Sequence, residues 1–238
     1  MKKYATSDNK NHDARFPHPN PLPKGEEANE RLREFHMNDT FWSSATLGAG
    51  AELLPWLRDR GSLTQRIMQH CEHFSVRNVK SGLALIAPDE SALLGIATRQ
   101  LAWSREVFLC ADKQPVVFAH SACAATALRG AWQGLRNLGN KPLGALLFSH
   151  PMVARLPLHY KALHPHHPLY RRAAGILSYP PGRLWARRSL FYLHNKPLLV
   201  TEVFLPGILN LGLRIEDRVT APPHARSSIL DPRSSILK

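Results

Sequence analysis

Two stretches of this chain read as β-strands that carry an ion in the middle of an apolar row. Residues 101–112 (Leu-Ala-Trp-Ser-Arg-Glu-Val-Phe-Leu-Cys-Ala-Asp) and 197–206 (Pro-Leu-Leu-Val-Thr-Glu-Val-Phe-Leu-Pro) are rich in β-branched and aromatic residues and end at turn formers. Side chains two apart share a face, so Arg105 lies with Trp103, Val107 and Leu109, and Glu202 lies with Leu198, Val200 and Phe204. Both rows face a core. A charge buried alone is costly, so each needs a partner of opposite sign, a polar cavity or a bound ligand. The strand pattern leaves two readings open: a structural Arg–Glu pair, or a ligand site.

The rest of the central chain supplies partners for these strands. Ser62-Leu63-Thr64-Gln65 fits a capping box that opens a helix over about 63–73, with Leu63, Ile67, Met68 and Cys71 as its buried stripe. Short strands are expected over 74–86, and a helical turn over 88–95. A strand over 115–122 joins the Arg105 strand through a turn at 111–114, making an antiparallel hairpin. Residues 124–137 have helical composition with Leu128, Trp132 and Leu135 inward. A Gly- and Pro-containing loop over 139–144 leads to a short helix over 143–148. The final hairpin runs from 189 through a turn around 195–197 into the Glu202 strand. Together these elements predict an α+β domain: one mainly antiparallel sheet with helices packed on it.

Neighbouring polar residues have assigned places in this scheme. Glu106 lies on the opposite strand face from Arg105, where it is expected to make its own salt bridge, and His120 reads as a strand residue with an ordinary partner. Arg187 and Arg188 are adjacent and point to opposite faces, so only one can reach a pocket beside Arg105. His159, His164, His166 and His167 invite a metal site, but the prolines at 165 and 168 break any regular ligand spacing, and a solvated loop is expected there instead. No metal is expected.

Composition narrows the class further. The formal net charge is +13, and most of the excess falls on the central part of the chain, where it favours an anionic partner. No zinc-finger spacing and no basic stripe interleaved with aromatics points to nucleic acid. Three cysteines and no secretory pattern argue for reduced thiols in the cytoplasm. The longest apolar run, near 198–209, is too short to span a membrane and is interrupted by Glu202 and Pro206. The ends do not read as core: residues 1–45 form a polar, irregular extension, and 214–238 form a tail in which Arg-Ser-Ser-Ile-Leu occurs twice. Met37 is an alternative start. The expected globular domain is 46–213.

Four motifs stand in one order and spacing: Trp-Ser-Arg-Glu-Val-Phe-Leu-Cys-Ala-Asp at 103–112, Leu-Gly-Asn-Lys-Pro-Leu-Gly-Ala-Leu-Leu-Phe at 138–148, Leu-Trp-Ala-Arg-Arg-Ser at 184–189, and Lys-Pro-Leu-Leu-Val-Thr-Glu-Val-Phe-Leu-Pro at 196–206. Over about residues 50–210 they closely resemble the bacterial chorismate pyruvate-lyases of ubiquinone biosynthesis. The resemblance implies a chorismate lyase-like fold and a cofactor-independent carbon–oxygen lyase. Such an enzyme converts chorismate to 4-hydroxybenzoate and pyruvate. It also implies the site: Arg105 grips the ring carboxylate, the backbone at Leu63 and Leu143 completes its recognition, and Glu202 takes the ring hydroxyl. The family usually has Met where this chain has Leu63, a change that a main-chain contact survives. One of Arg187 and Arg188 is a candidate for the enolpyruvyl carboxylate. The expected protein is a cytoplasmic monomer with a small-molecule substrate, no nucleic-acid partner and no stable membrane insertion.

Two other classes compete. The same fold resembles the effector-binding domain of bacterial regulators, which binds an aromatic carboxylate or similar small molecule without chemistry; residues 1–50 are too short and irregular for the DNA-binding domain such a regulator needs. A basic surface-binding module would explain the charge but not the four motifs.

Overall fold

The computed structural model describes residues 42–211. Residues 1–41 and 212–238, with the Met37 start and the duplicated Arg-Ser-Ser-Ile-Leu, lie outside the described residues; of the expected extension 1–45, residues 42–45 are described, and there Trp42 is buried in the core and Ser43 pairs with Tyr160. The elements in chain order are α1 (Leu54–Arg58), α2 (Leu63–Gln69), β1 (Phe74–Ala84), α3 (Pro88–Leu93), β2 (Ala102–Ala111), β3 (Gln114–Ala124), α4 (Leu143–Ser149), β4 (Ala154–Arg155), β5 (His159–Leu163), α5 (Pro168–Ala174), β6 (Leu184–Leu193) and β7 (Lys196–Phe204). The strands form one sheet in the order β1-β2-β3-β7-β6-β4, with β5 pairing β6 beside β4. Every pairing is antiparallel. The expected α+β architecture is the one observed.

Two tight hairpins build the sheet. Asp112 and Lys113 both have positive φ, as do His194 and Asn195, the backbone that a two-residue turn needs to match the right-handed twist of its strands. The second turn therefore sits at 194–195, and Lys196 and Pro197 already belong to β7. The tall β1, expected as short strands, is a single edge strand with a register shift between Arg77 and Lys80.

The expected helices are shorter than their patterns. Ser62 Oγ accepts the Gln65 N–H at 3.4 Å, the N-cap half of the expected capping box, and opens α2. The helix stops at Gln69, however, because the His70 N–H turns back to the Ile67 carbonyl. Leu63 and Ile67 are buried, Cys71 falls beyond the helix, and Met68 is exposed. Residues 124–137 are two 3-10 turns, Ala125–Arg129 and Gln133–Asn137, on either side of Gly130. Leu128, Trp132 and Leu135 still point inward, and the Trp132 indole N–H donates to the Lys196 carbonyl at 2.9 Å. The inward-facing residues hold although the helix that suggested them does not.

Both sheet faces are covered. On one, Val107, Leu109, Val117 and Phe204 pack with Trp56, Leu57 and Ile67, while Trp103, Leu198 and Phe191 pack with Trp132, Leu143 and Leu147. On the other, Phe108, Phe118 and Val203 pack against Leu169, Tyr170 and Ala173 of α5, and Ala122, Leu190 and Leu199 pack against Leu93 and Leu94. This double burial is why the strands lack clean polar–apolar alternation.

Candidate active site

The register of the sheet places the charged residues. Arg105 on β2 stands in one row with Ser121 on β3, Val200 on β7 and Ser189 on β6. The next row on that face holds Val107, Ala119, Glu202 and Arg187. Above these rows the first residues of two short helices, Leu63 of α2 and Leu143 of α4, close a pocket. Its lining includes Arg105, Ser121, Leu63, Leu143, Arg187 and Glu202, a concave apolar wall with a few convergent polar groups, the usual make-up of a small-molecule site. All four residues expected at the site, Leu63, Arg105, Leu143 and Glu202, line this one pocket.

Arg105 and Glu202 do not neutralise one another. Glu202 Oε2 takes the Arg187 Nε–H at 2.6 Å. The same guanidinium donates through Nη1 to the carbonyls of Trp56, Leu57 and Asp59 at 3.0, 3.3 and 2.6 Å. The structural pair is thus Arg187–Glu202. Arg105, only 3% exposed, donates through Nη2 to the carbonyls of Gly139 and Lys141, each at 3.0 Å. Its Nε is buried with no hydrogen-bond partner among the described residues. No carboxylate lies within ion-pair distance of it among those residues, and burial pushes its pKa down. A cation in this state is a ready receptor for an anion.

The Gly139 and Lys141 carbonyls belong to the loop that delivers Leu143, so Arg105 also fixes the pocket's cover. Leu143 and Leu63 each begin a helix, where the first N–H groups have no intrahelical acceptor. The two helix starts approach closely: a Cβ on Gly144 would lie 3.0 Å from Ser62 Oγ and 3.3 Å from Thr64 Oγ1. Glycine is what permits this contact.

Other expectations sort by sheet face. Arg188 points away from the pocket, to Asp89 at 2.7 Å and over the Trp42 ring at 4.2 Å. Glu106, also on the far face, pairs with Arg172 at 2.5 Å and His120 at 3.3 Å. His120 sits between Glu106 and Glu90, each 3.3 Å away. Burial would lower its pKa, but the charge of Glu90 and bonds to both carboxylates outweigh burial and raise it to about 9. The expected solvated loop over the histidines is corrected at its start: His159 is buried on β5, opposite Arg188, and burial lowers its pKa to about 4. His167 instead caps α5, its Nδ1 accepting the Leu169 N–H at 3.2 Å.

Arg155 escaped the sequence reading. It lies on the two-residue β4, too short for any alternation to mark, yet it enters the pocket from the far edge of the sheet. Its guanidinium sits 5.7 and 5.2 Å from the ring centres of Phe148 and Phe191 and donates through Nη1 to the Arg60 carbonyl at 2.7 Å. Burial, reinforced by the charge of Arg187, pushes its pKa down to about 10.

The described residues form an α+β domain with an arginine-rich pocket on one sheet face, a lining whose charge suits a small organic anion. Residues 37–211 match the family model described as chorismate lyase. A relative from Nitrosomonas europaea named "Probable chorismate pyruvate-lyase" is 48% identical over 170 residues, 71% of this chain and 96% of the relative. One of the same name from Nitrosospira multiformis is 50% identical over 172 residues, 72% and 96% of the two chains. This chain therefore belongs to the chorismate lyase family. Among solved structures, the effector domain of PhnF from Mycobacterium smegmatis aligns at 12% identity and a TM-score of 0.42 over 62% of this chain and 90% of that one. Membership rests on the family model and the relatives, which favour the lyase over the effector-domain reading. No helix among the described residues is long and apolar enough to cross a membrane.

Proposed function

We propose that this protein is a chorismate pyruvate-lyase, forming 4-hydroxybenzoate and pyruvate at an early step of ubiquinone biosynthesis. One observation carries the reading: Arg105 is a buried cation without a carboxylate partner among the described residues, in the same pocket as an oriented carboxylate, Glu202. Arg105 takes the ring carboxylate in a two-pronged contact, aided by the backbone N–H groups of Leu63 and Leu143. Glu202, held by Arg187, accepts a hydrogen bond from the C4 hydroxyl and sets the ring's orientation.

In the reaction the C3–O bond of the enol ether breaks, and its oxygen becomes the keto oxygen of pyruvate. The C4 hydrogen passes within the substrate to the methylene carbon, which becomes the methyl group, and the ring is left aromatic. Atoms balance without a co-reactant, so the protein supplies position, electrostatics and exclusion of water. Chorismate bearing deuterium at C4 should give pyruvate with deuterium in its methyl group; exchange into solvent would instead make Glu202 a proton carrier. The enzyme acts in the cytoplasm as a monomer, without metal or nucleic acid, and its globular domain spans 46–213.

The decisive assay incubates purified protein with chorismate alone and follows both products, with Arg105→Ala in parallel. Equimolar 4-hydroxybenzoate and pyruvate that disappear in the variant are expected. No product from folded protein that still binds 4-hydroxybenzoate would return the pocket to the effector-domain reading.

A further inference from the structure

We infer that Arg155 holds the second carboxylate of the substrate, the one that departs with the enolpyruvyl group. This rests on the lyase reading above. The charged groups lining the pocket are Arg105, Arg155, Arg187 and Glu202. Three cations against one anion leave a charge of plus two, which matches a dicarboxylate and exceeds what 4-hydroxybenzoate alone requires. Arg187 is committed to Glu202 and to the carbonyls of Trp56, Leu57 and Asp59. That leaves Arg105 for one end of the substrate and Arg155 for the other.

Arg155 is built for this task. One arm is fixed by the Arg60 carbonyl, and Phe148 and Phe191 flank the guanidinium. Its Nε is buried with no hydrogen-bond partner among the described residues, so a donor remains to be satisfied inside a lined cavity. The placement suits the chemistry too. Arg105 enters from β2 and Arg155 from β4, four strand spacings apart, about 19 Å along the sheet before the reach of the two arms is subtracted. The enolpyruvyl group hangs from the ring carbon next to the one bearing the hydroxyl. Its carboxylate must therefore lie near Glu202 and away from Arg105, and the charges of Glu202 and Asp59 both act on Arg155. Cleavage would leave each product with one arginine.

The test compares a ligand with two carboxylates and a ligand with one. Wild type, Arg155→Ala and Arg155→Lys are assayed for turnover of chorismate and titrated with 4-hydroxybenzoate. In Arg155→Ala, kcat/KM for chorismate should fall roughly ten- to a hundredfold, mainly through KM, the worth of a charge-assisted bond. Affinity for 4-hydroxybenzoate should stay within about twofold. Arg155→Lys should recover part of the loss, and it carries the comparison if the alanine variant does not fold. Unchanged chorismate kinetics would overturn the inference, as would a parallel loss of 4-hydroxybenzoate affinity, which marks a merely structural arginine. An inactive wild type would remove the lyase reading and this inference together; an active wild type matched by its variants removes this inference alone.

Discussion

Glu202 and Arg187 stand directly opposite one another on β7 and β6, with 2.6 Å between carboxylate and guanidinium on the pocket floor. Removing the arginine strands a mostly buried carboxylate and frees three carbonyls. Arg187→Met should cost about 3–5 kcal/mol of stability, measured by urea unfolding, and should lower kcat. The double variant Arg187→Met with Glu202→Met should recover part of the stability while remaining inactive. Full recovery of turnover in the double variant would show that the pair has no functional part.

Arg105 should separate stability from activity in the opposite sense. Arg105→Met removes a desolvated charge and two bonds to loop carbonyls, effects of opposite sign. Unliganded stability should change by no more than about 1 kcal/mol. The stabilisation that saturating 4-hydroxybenzoate gives wild type should vanish. A variant that retains the ligand-induced rise in melting temperature would take the carboxylate contact away from Arg105.

The His120 cluster predicts a pH window. Its folded pKa, about 9, lies above the ordinary 6.5, so its contribution to stability is complete below about pH 6.5 and is lost as pH rises through about 9. Glu90 and Glu106 are held below their ordinary 4.5, where the imidazolium outweighs the upward push of burial. Their contribution is present above about pH 4.5 and is lost at lower pH. Between pH 6.5 and 9 wild type should lose on the order of 2–3 kcal/mol that His120→Gln does not lose. Parallel stability curves over that range would contradict the charged imidazole.

Gly144 marks the seam between the two helix starts. Gly144→Ala gains helix propensity, about 1 kcal/mol at most, but presses on the hydroxyl with which Ser62 caps α2, a cap worth about 1 kcal/mol. Stability should change little while KM for chorismate rises, because the backbone at Leu63 and Leu143 is displaced. A melting temperature and KM both equal to those of wild type would show that the seam has room to spare.

The sheet was legible because hairpin turns and apolar strand runs are local signals, and β2, β3, β6 and β7 appear where the residues place them. The arginine–glutamate question was not, since it turns on register. Only the pairing of β6 with β7 puts Arg187, rather than Arg105, beside Glu202. Helix lengths were overread past Gln69, where the His70 N–H turns back to Ile67, and across Gly130. His159 misled because its proline-rich neighbours mask a strand that is defined by its pairing with β6. Arg155 carried no local signal at all, since two residues of strand have no period to read.

The contacts of Arg187 tie the pocket's floor to the end of α1, the segment that leads into Leu63 of α2. One guanidinium grips Glu202 below and the end of α1 above. Any motion that lifts residues 56–59 off the sheet breaks those bonds and loosens the hold on Glu202 in the same stroke. A ring that enters while that segment is displaced meets a carboxylate with no fixed aim.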